Sequence, residues 1–154
     1  MRERALAPSG RTGTQLGRGV VWSSWVTVAG FAATALPAAF GVDALDDAAV
    51  GVALGLFAVS IPVWLWAFGS AVMRTTRGDD VVVASLFFLQ GSAPRRARVH
   101  LYGALVASLV VAAVTPAANP FGVLVPMLPL GFMGLWAARH GTFPPRRSPP
   151  SRPR

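Results

Sequence analysis

Apolar residues fall in four long blocks along the chain, separated by polar segments. The blocks cover about residues 20–42, 48–73, 99–118 and 121–138, and none of them contains Asp, Glu, Lys or Arg. Each block is long enough to cross a hydrocarbon core of about 30 Å as an α-helix. A helix also satisfies its own backbone hydrogen bonds, which a membrane-spanning segment must do. The pattern therefore predicts an all-α membrane protein with four transmembrane helices, arranged as two hairpins.

The segment that joins the two hairpins, residues 74–98, is the longest polar stretch inside the chain. Its central run, residues 81–90, is apolar but too short to cross the membrane as a helix. We expect a short helix that lies at the membrane interface or re-enters the bundle, although the valines at its start also leave a buried strand open. We expect its bulky side chains to be exposed or lipid-facing, which makes them the candidate contact for a partner protein. These side chains are Leu86, Phe87, Phe88 and Leu89.

Two arginine-containing segments flank the membrane domain, which we place at residues 20–141. Residues 1–19 have too few apolar side chains to offset the entropy of ordering, so we expect a disordered basic arm. Residues 142–154 are rich in proline and arginine, and this composition is typical of an extended, unpacked tail.

The arginines predict which side of the membrane each segment occupies. All 14 basic residues are arginines, and they lie before the first block, in residues 74–98 and after the fourth block. The turns at residues 43–47 and 119–120 have none. The positive-inside rule then places both termini and the 74–98 loop in the cytoplasm, which fits a bacterial plasma membrane. Six arginines are the expected contacts with anionic lipid head groups: Arg95, Arg96, Arg98, Arg139, Arg146 and Arg147.

The composition agrees with a membrane location and does not call for a nucleic-acid partner. Only 13% of the residues are charged, about half the share that is usual in a soluble domain. The net charge of +8 is explained by the membrane topology, so no nucleic-acid partner is expected.

Candidate chemistry is sparse. The chain has no cysteine and no charge inside a predicted span, and the three aspartates of the 43–47 turn supply too few oxygens for Ca²⁺. His100 and His140 are most simply interfacial side chains. We therefore predict no catalytic, cofactor-binding or metal-binding residues, and a protein that is not an enzyme.

Two functional hypotheses fit this pattern. The first is a non-enzymatic membrane protein that mediates protein–protein interaction from its cytoplasmic face. The alternative is a subunit of a small homo-oligomeric channel or transporter for a neutral solute. Gly51 and Gly55 form a GxxxG pair, which favours close helix packing and hence assembly.

Two runs of the sequence carry a resemblance to known proteins. SLFFLQGSAPRRARVHLYGAL and FGVLVPMLPLGFMGLWAARHGTFPPR are similar to runs in small four-helix integral membrane proteins of high-GC Gram-positive, actinobacterial-type bacteria. The resemblance covers about residues 20–147. It implies location and architecture, and it assigns no activity or site residue.

Overall fold

The structure is a computed structural model that describes residues 12–89 and 93–144. Its described residues are helical, with no strand. Two short 3-10 turns, Asp43–Leu45 and Pro120–Leu124, precede the second and last helices. The five α-helices are α1 (Thr12–Ala39), α2 (Asp46–Thr76), α3 (Val83–Phe87), α4 (Arg95–Val114) and α5 (Met127–His140).

Four helical segments are long and apolar enough to cross a membrane. They are Gly17–Ala39, Asp43–Thr76, Arg95–Val114 and Pro120–His140. Large apolar side chains such as Phe40, Leu65 and Val123 lie exposed on their outer surfaces. Such a surface is a liability in water and the ordinary condition in lipid. For the described residues the prediction of an all-helical protein is therefore confirmed, with four helices long and apolar enough to cross a membrane.

The first two long helices end in the same way, on a glycine in the left-handed conformation. Gly41 has a φ of +90° and Gly78 a φ of +96°. After α1, the N–H of Val42 donates to the carbonyl of Pro37. After α2, the N–H of Asp79 donates to the carbonyl of Arg74. These are Schellman caps, which only a residue without a Cβ adopts at low cost, and they turn the chain sharply at each helix end.

Helix packing crosses between the two predicted hairpins. The most extensive contact joins α2 to α5, and the next joins α1 to α4, whereas α4 and α5 touch each other less. Because of this arrangement α5 is the central helix. In its span 67% of the most apolar window is buried, against 17–28% in the other three.

Close packing around α5 depends on small residues. The buried face of α2 consists of Ala49, Ala53, Ser60, Ala67 and Ala71. On the facing side, glycines receive aromatic rings: a Cβ at Gly131 would lie 3.0 Å from the Trp64 ring, and one at Gly134 would lie 2.6 Å from the Phe87 ring. Without a hydrophobic force between helices in lipid, such interlocking supplies the van der Waals contact that holds them together.

The fourth span is irregular, as its glycine and proline content predicts. A 3-10 turn at Pro120–Leu124 leads into α5, and Pro126 is the residue before the helix. The structure shows that Gly122, Gly131 and Gly134 are covered by aromatic side chains.

Both ends of the membrane domain differ from expectation. Helix α1 begins at Thr12, so residues 12–19 are helical, while residues 1–11 lie outside the described range. The start of the tail is packed, because the Phe143 ring contacts the buried core. The Asp80 N–H also donates to the Pro144 carbonyl across 2.9 Å. The prediction of an unpacked tail is thus wrong for residues 142–144, and residues 145–154 lie outside the described range.

Candidate functional site

The described arginines gather at one end of the bundle, which we call the arginine end. The Arg74 Nη1 at the end of α2 donates to the Gly141 carbonyl after α5 across 2.6 Å. At the opposite end, the Asn119 Nδ2 donates to the Ala49 carbonyl across 2.9 Å. Because α1 and α4 begin where α2 and α5 end, every arginine between residues 12 and 144 lies at the arginine end. They are Arg18, Arg74, Arg77, Arg95, Arg96, Arg98 and Arg139.

The short helix α3 closes this end of the bundle from within. The predicted exposure of its side chains is wrong for three of the four residues: Leu86, Phe87 and Leu89 are 2%, 7% and 0% exposed. Only Phe88, at 57% exposure, faces outward. The described part of the run is therefore a helical turn with three buried side chains, and it is not a strand.

Three interactions explain why α3 is buried. The Phe87 ring stacks on Trp64 of α2, with centroids 4.6 Å apart. The same ring occupies the space that a side chain at Gly134 would need. The Tyr102 hydroxyl donates to the Phe88 carbonyl across 2.9 Å, which ties the end of α3 to α4. The signal in the sequence was the glycines of the fourth span, which leave room for rings from other segments.

A large cavity lies at the arginine end, and we call it the arginine-end cavity. It has a volume of about 1000 Å³ and is open rather than enclosed. Its walls come from the start of α1, the start of α4 and the end of α5. The lining residues are Gly17, Arg18, Val21, Trp22, Trp25, Pro94, Arg96, Ala97, His100, Trp136 and His140.

The cavity changes from charged to apolar along the helix axis. Arg18 and Arg96 lie in the first turns of the span that starts at Gly17 and of α4. Trp22 and Trp25 lie one and two turns further into the bundle, and Trp25 is about 10 Å beyond Arg18 along α1. At that depth α1 and α4 meet, because a Cβ at Gly103 would lie 3.3 Å from the Trp25 ring. The cavity therefore has a cationic mouth and an aromatic interior.

The charged side chains among the described lining residues are arginines. None of the described residues that line the cavity is acidic. Asp43, Asp46 and Asp47 belong to the turn at the opposite end, and Asp79 lies 3.9 Å from Arg74. Helix α4 also begins here with no acidic residue in its first turn and no side-chain cap, so its positive dipole end adds to the arginine charges.

Trp136 forms the inner wall. It is 6% exposed, and its ring lies 5.7 Å from that of His140 between centroids. Its indole nitrogen lies against Gly17 and has no hydrogen-bond acceptor among the described residues. An indole N–H is a donor that normally finds a partner when it is buried.

The predicted lipid-contacting arginines fall into different environments. Arg95 and Arg96 are exposed, and Arg96 lines the cavity. Arg98 is partly buried and donates to the Ala93 carbonyl across 3.2 Å. Arg139 lies over the Trp66 ring, 5.0 Å from its centroid. Arg146 and Arg147 lie outside the described residues.

The GxxxG glycines do not pack within the chain. Gly51 and Gly55 face away from the bundle, and a Cβ at either would meet nothing within 4 Å. They lie two positions from the buried Ala49 and Ala53, which is about 200° around the helix.

The two histidines, separate in sequence, line the same cavity. Within the described part of the chain, no group of three or more His, Cys, Asp or Glu residues is placed to hold a metal ion. The arrangement favours recognition of a ligand by charge and shape.

No protein-family model matches this chain, and no curated protein or solved structure is significantly similar to it. The likeness to four-helix proteins of high-GC bacteria stays a prediction.

Proposed function

We propose that this chain is a non-enzymatic integral membrane protein that works by binding at its arginine end, with that end and both termini in the cytoplasm of a bacterial cell. The observation that carries the proposal is the arginine-end cavity, which joins cationic and aromatic side chains in one open space. Ligand sites in proteins have this character: a mostly apolar lining with a few polar groups that fix orientation.

We assign the binding function to the arginine-end cavity and no longer to the 81–90 run. With Leu86, Phe87 and Leu89 in the core, the described part of the loop offers a partner the separate exposed side chains of Val82 and Phe88. The cavity, by contrast, is open and draws residues from three helices. We therefore place the binding activity of the cytoplasmic face there.

Photo-cross-linking from the cavity tests this proposal. We expect benzoylphenylalanine in place of Ala97, which lines the cavity, to form a discrete adduct in membranes. The matched control is Val99, two positions further on α4, where the side chain is 60% exposed on the opposite face. That position should give only a diffuse set of bilayer lipids. The same adducts from both positions would overturn the proposal.

A second candidate function is a homo-oligomeric channel or transporter subunit for a neutral solute. One observation favours it: Gly51 and Gly55 leave an open surface on the outer face of α2, where a second copy has room to approach closely. The mass of the complex extracted in mild detergent discriminates the two. A closed homo-oligomer that Gly51→Leu dissociates supports the second candidate.

A further inference from the structure

We propose that the arginine-end cavity holds an anionic phospholipid of the surrounding bilayer. Its phosphate lies between Arg18 and Arg96, and an acyl chain runs inward along Trp22 and Trp25. The inference rests on the proposed function and names the ligand of the same site.

Charge complementarity carries the first step. Two arginines line the mouth, and the start of α4 adds the positive end of a helix dipole. No acidic lining residue balances them. A cationic site beside the N-terminal end of α4 attracts an anion, and basic cavities between transmembrane helices at the cytoplasmic side bind anionic lipid head groups.

The arginines at the mouth differ from others at the same end. Arg74 donates to Gly141 and lies over the Phe143 ring, while Arg98 donates to Ala93. For Arg18 and Arg96 the described residues supply no such partner. Their guanidinium groups are therefore available for a phosphate, which arginine binds with paired hydrogen bonds.

The aromatic interior determines that the anion is amphiphilic. A free phosphate would use only the mouth and leave the surfaces of Val21, Trp22 and Trp25 without a contact. A phospholipid fits both parts of the cavity. Its head group would lie at the arginines of the mouth, and its acyl chain would extend inward along the tryptophans. Interfacial tryptophans have the matching character, with an apolar ring body beside a polar region.

The size and location fit this occupant. A volume of about 1000 Å³ is at the upper end of the range of about 300–1,000 Å³ that small-molecule sites occupy. This space takes a head group and the first part of an acyl chain, and the open side lets the remainder continue into the bilayer. Lipid is also the molecule present at the highest concentration beside a membrane-spanning helix.

Native mass spectrometry of the full chain tests the inference. The protein is reconstituted with phosphatidylglycerol or, separately, with phosphatidylethanolamine, and the lipids that stay bound after detergent removal are measured. We expect one phosphatidylglycerol to be retained, and the double variant Arg18→Gln/Arg96→Gln to weaken its binding about tenfold or more, since each lost contact was charge-assisted. The matched control, Arg77→Gln/Arg95→Gln, removes equal charge at the same end from residues that do not line the cavity, and it should retain the lipid.

Quenching of tryptophan fluorescence by brominated phosphatidylglycerol gives a second readout on the same variants. We expect quenching in the parent chain that falls in Arg18→Gln/Arg96→Gln and persists in the control Arg77→Gln/Arg95→Gln. Competition by inorganic phosphate at concentrations similar to the lipid would show that only the head-group chemistry is recognised and would overturn the lipid assignment. Equal retention of both lipids, or equal loss in the control variant, would also overturn it.

The two proposals fail differently. A discrete protein adduct from position 97, with no retained phosphatidylglycerol, would rule out the lipid as the ligand and leave the proposed binding function standing. The absence of both an adduct and a retained lipid would rule out both proposals.

Discussion

At the scale of single residues, glycine has two opposite roles in this chain. Three glycines leave space that an aromatic ring occupies, and we call these spaces sockets. Gly122 receives the ring of Phe31, Gly131 that of Trp64, and Gly134 that of Phe87. Gly51 and Gly55 face open space. The residue type is the same, and only the neighbouring helix distinguishes the two groups.

Replacing Gly134 with alanine should destabilise the bundle. The new methyl group would lie 2.6 Å from a carbon of the Phe87 ring, so either the ring or α5 must shift. We expect the free energy of unfolding to fall by about 1–3 kcal/mol, which is typical of overpacking. Gly55→Ala, with nothing within 4 Å, is the control and should leave stability unchanged or slightly raised. Thermal unfolding in detergent compares the two variants. Equal destabilisation of both would contradict the role of Gly134 in receiving the Phe87 ring.

The sequence predicted the four spans, but it did not predict which glycines receive aromatic rings. A block of about 20 apolar residues determines a spanning helix whatever it packs against, so four spans were predictable. Which face of a helix is buried depends on partners that are distant in sequence. The hydrophobic periodicity that reports burial in water is absent when every face is apolar, so nothing local distinguished Gly134 from Gly55.

At the scale of elements, α3 shows the same limitation. The sequence predicted that its apolar side chains are exposed, because the run lies between polar segments. In the structure Leu86 and Leu89 join the core with Leu101, and the Phe87 ring also lies 5.6 Å from that of Phe68. The cavity was likewise hidden from the sequence, because its lining comes from three helix ends.

The two phenylalanines of this turn should respond differently to truncation. Phe87→Ala removes a buried ring that stacks on Trp64, and we expect a loss of about 3–5 kcal/mol in unfolding free energy. Phe88→Ala removes an exposed ring and should change stability by less than about 0.5 kcal/mol. Equilibrium unfolding of both variants in the same detergent measures the difference. The reverse order would restore α3 as a contact surface.

At the scale of the whole molecule, charge and shape are separated along the bundle axis. One end holds the described arginines and the large cavity, and the other holds Asp43, Asp46, Asp47 and short turns. This polarity supports the proposed orientation, since arginine-rich ends stay on the cytoplasmic side.

Single cysteines test the orientation, because the chain has none of its own. We expect a membrane-impermeant maleimide to label Ala44→Cys in intact cells, since that residue is exposed in the acidic turn. Arg77→Cys, exposed at the arginine end, should be labelled only after permeabilisation. The opposite pattern would place the cavity outside the cell and overturn the cytoplasmic assignment.

The pairing of α2 with α5 has a consequence for how the protein is made. The first hairpin leaves the ribosome well before α5, and at that point α2 contacts α1 but lacks its most extensive packing partner. The Trp64 indole N–H also lacks its acceptor until the Met127 carbonyl arrives, 63 residues later. An N-terminal hairpin cut off after α2 would therefore insert in the membrane without the contacts that complete its tertiary structure. Cellular proteases that survey membrane proteins would recognise such a fragment as incomplete.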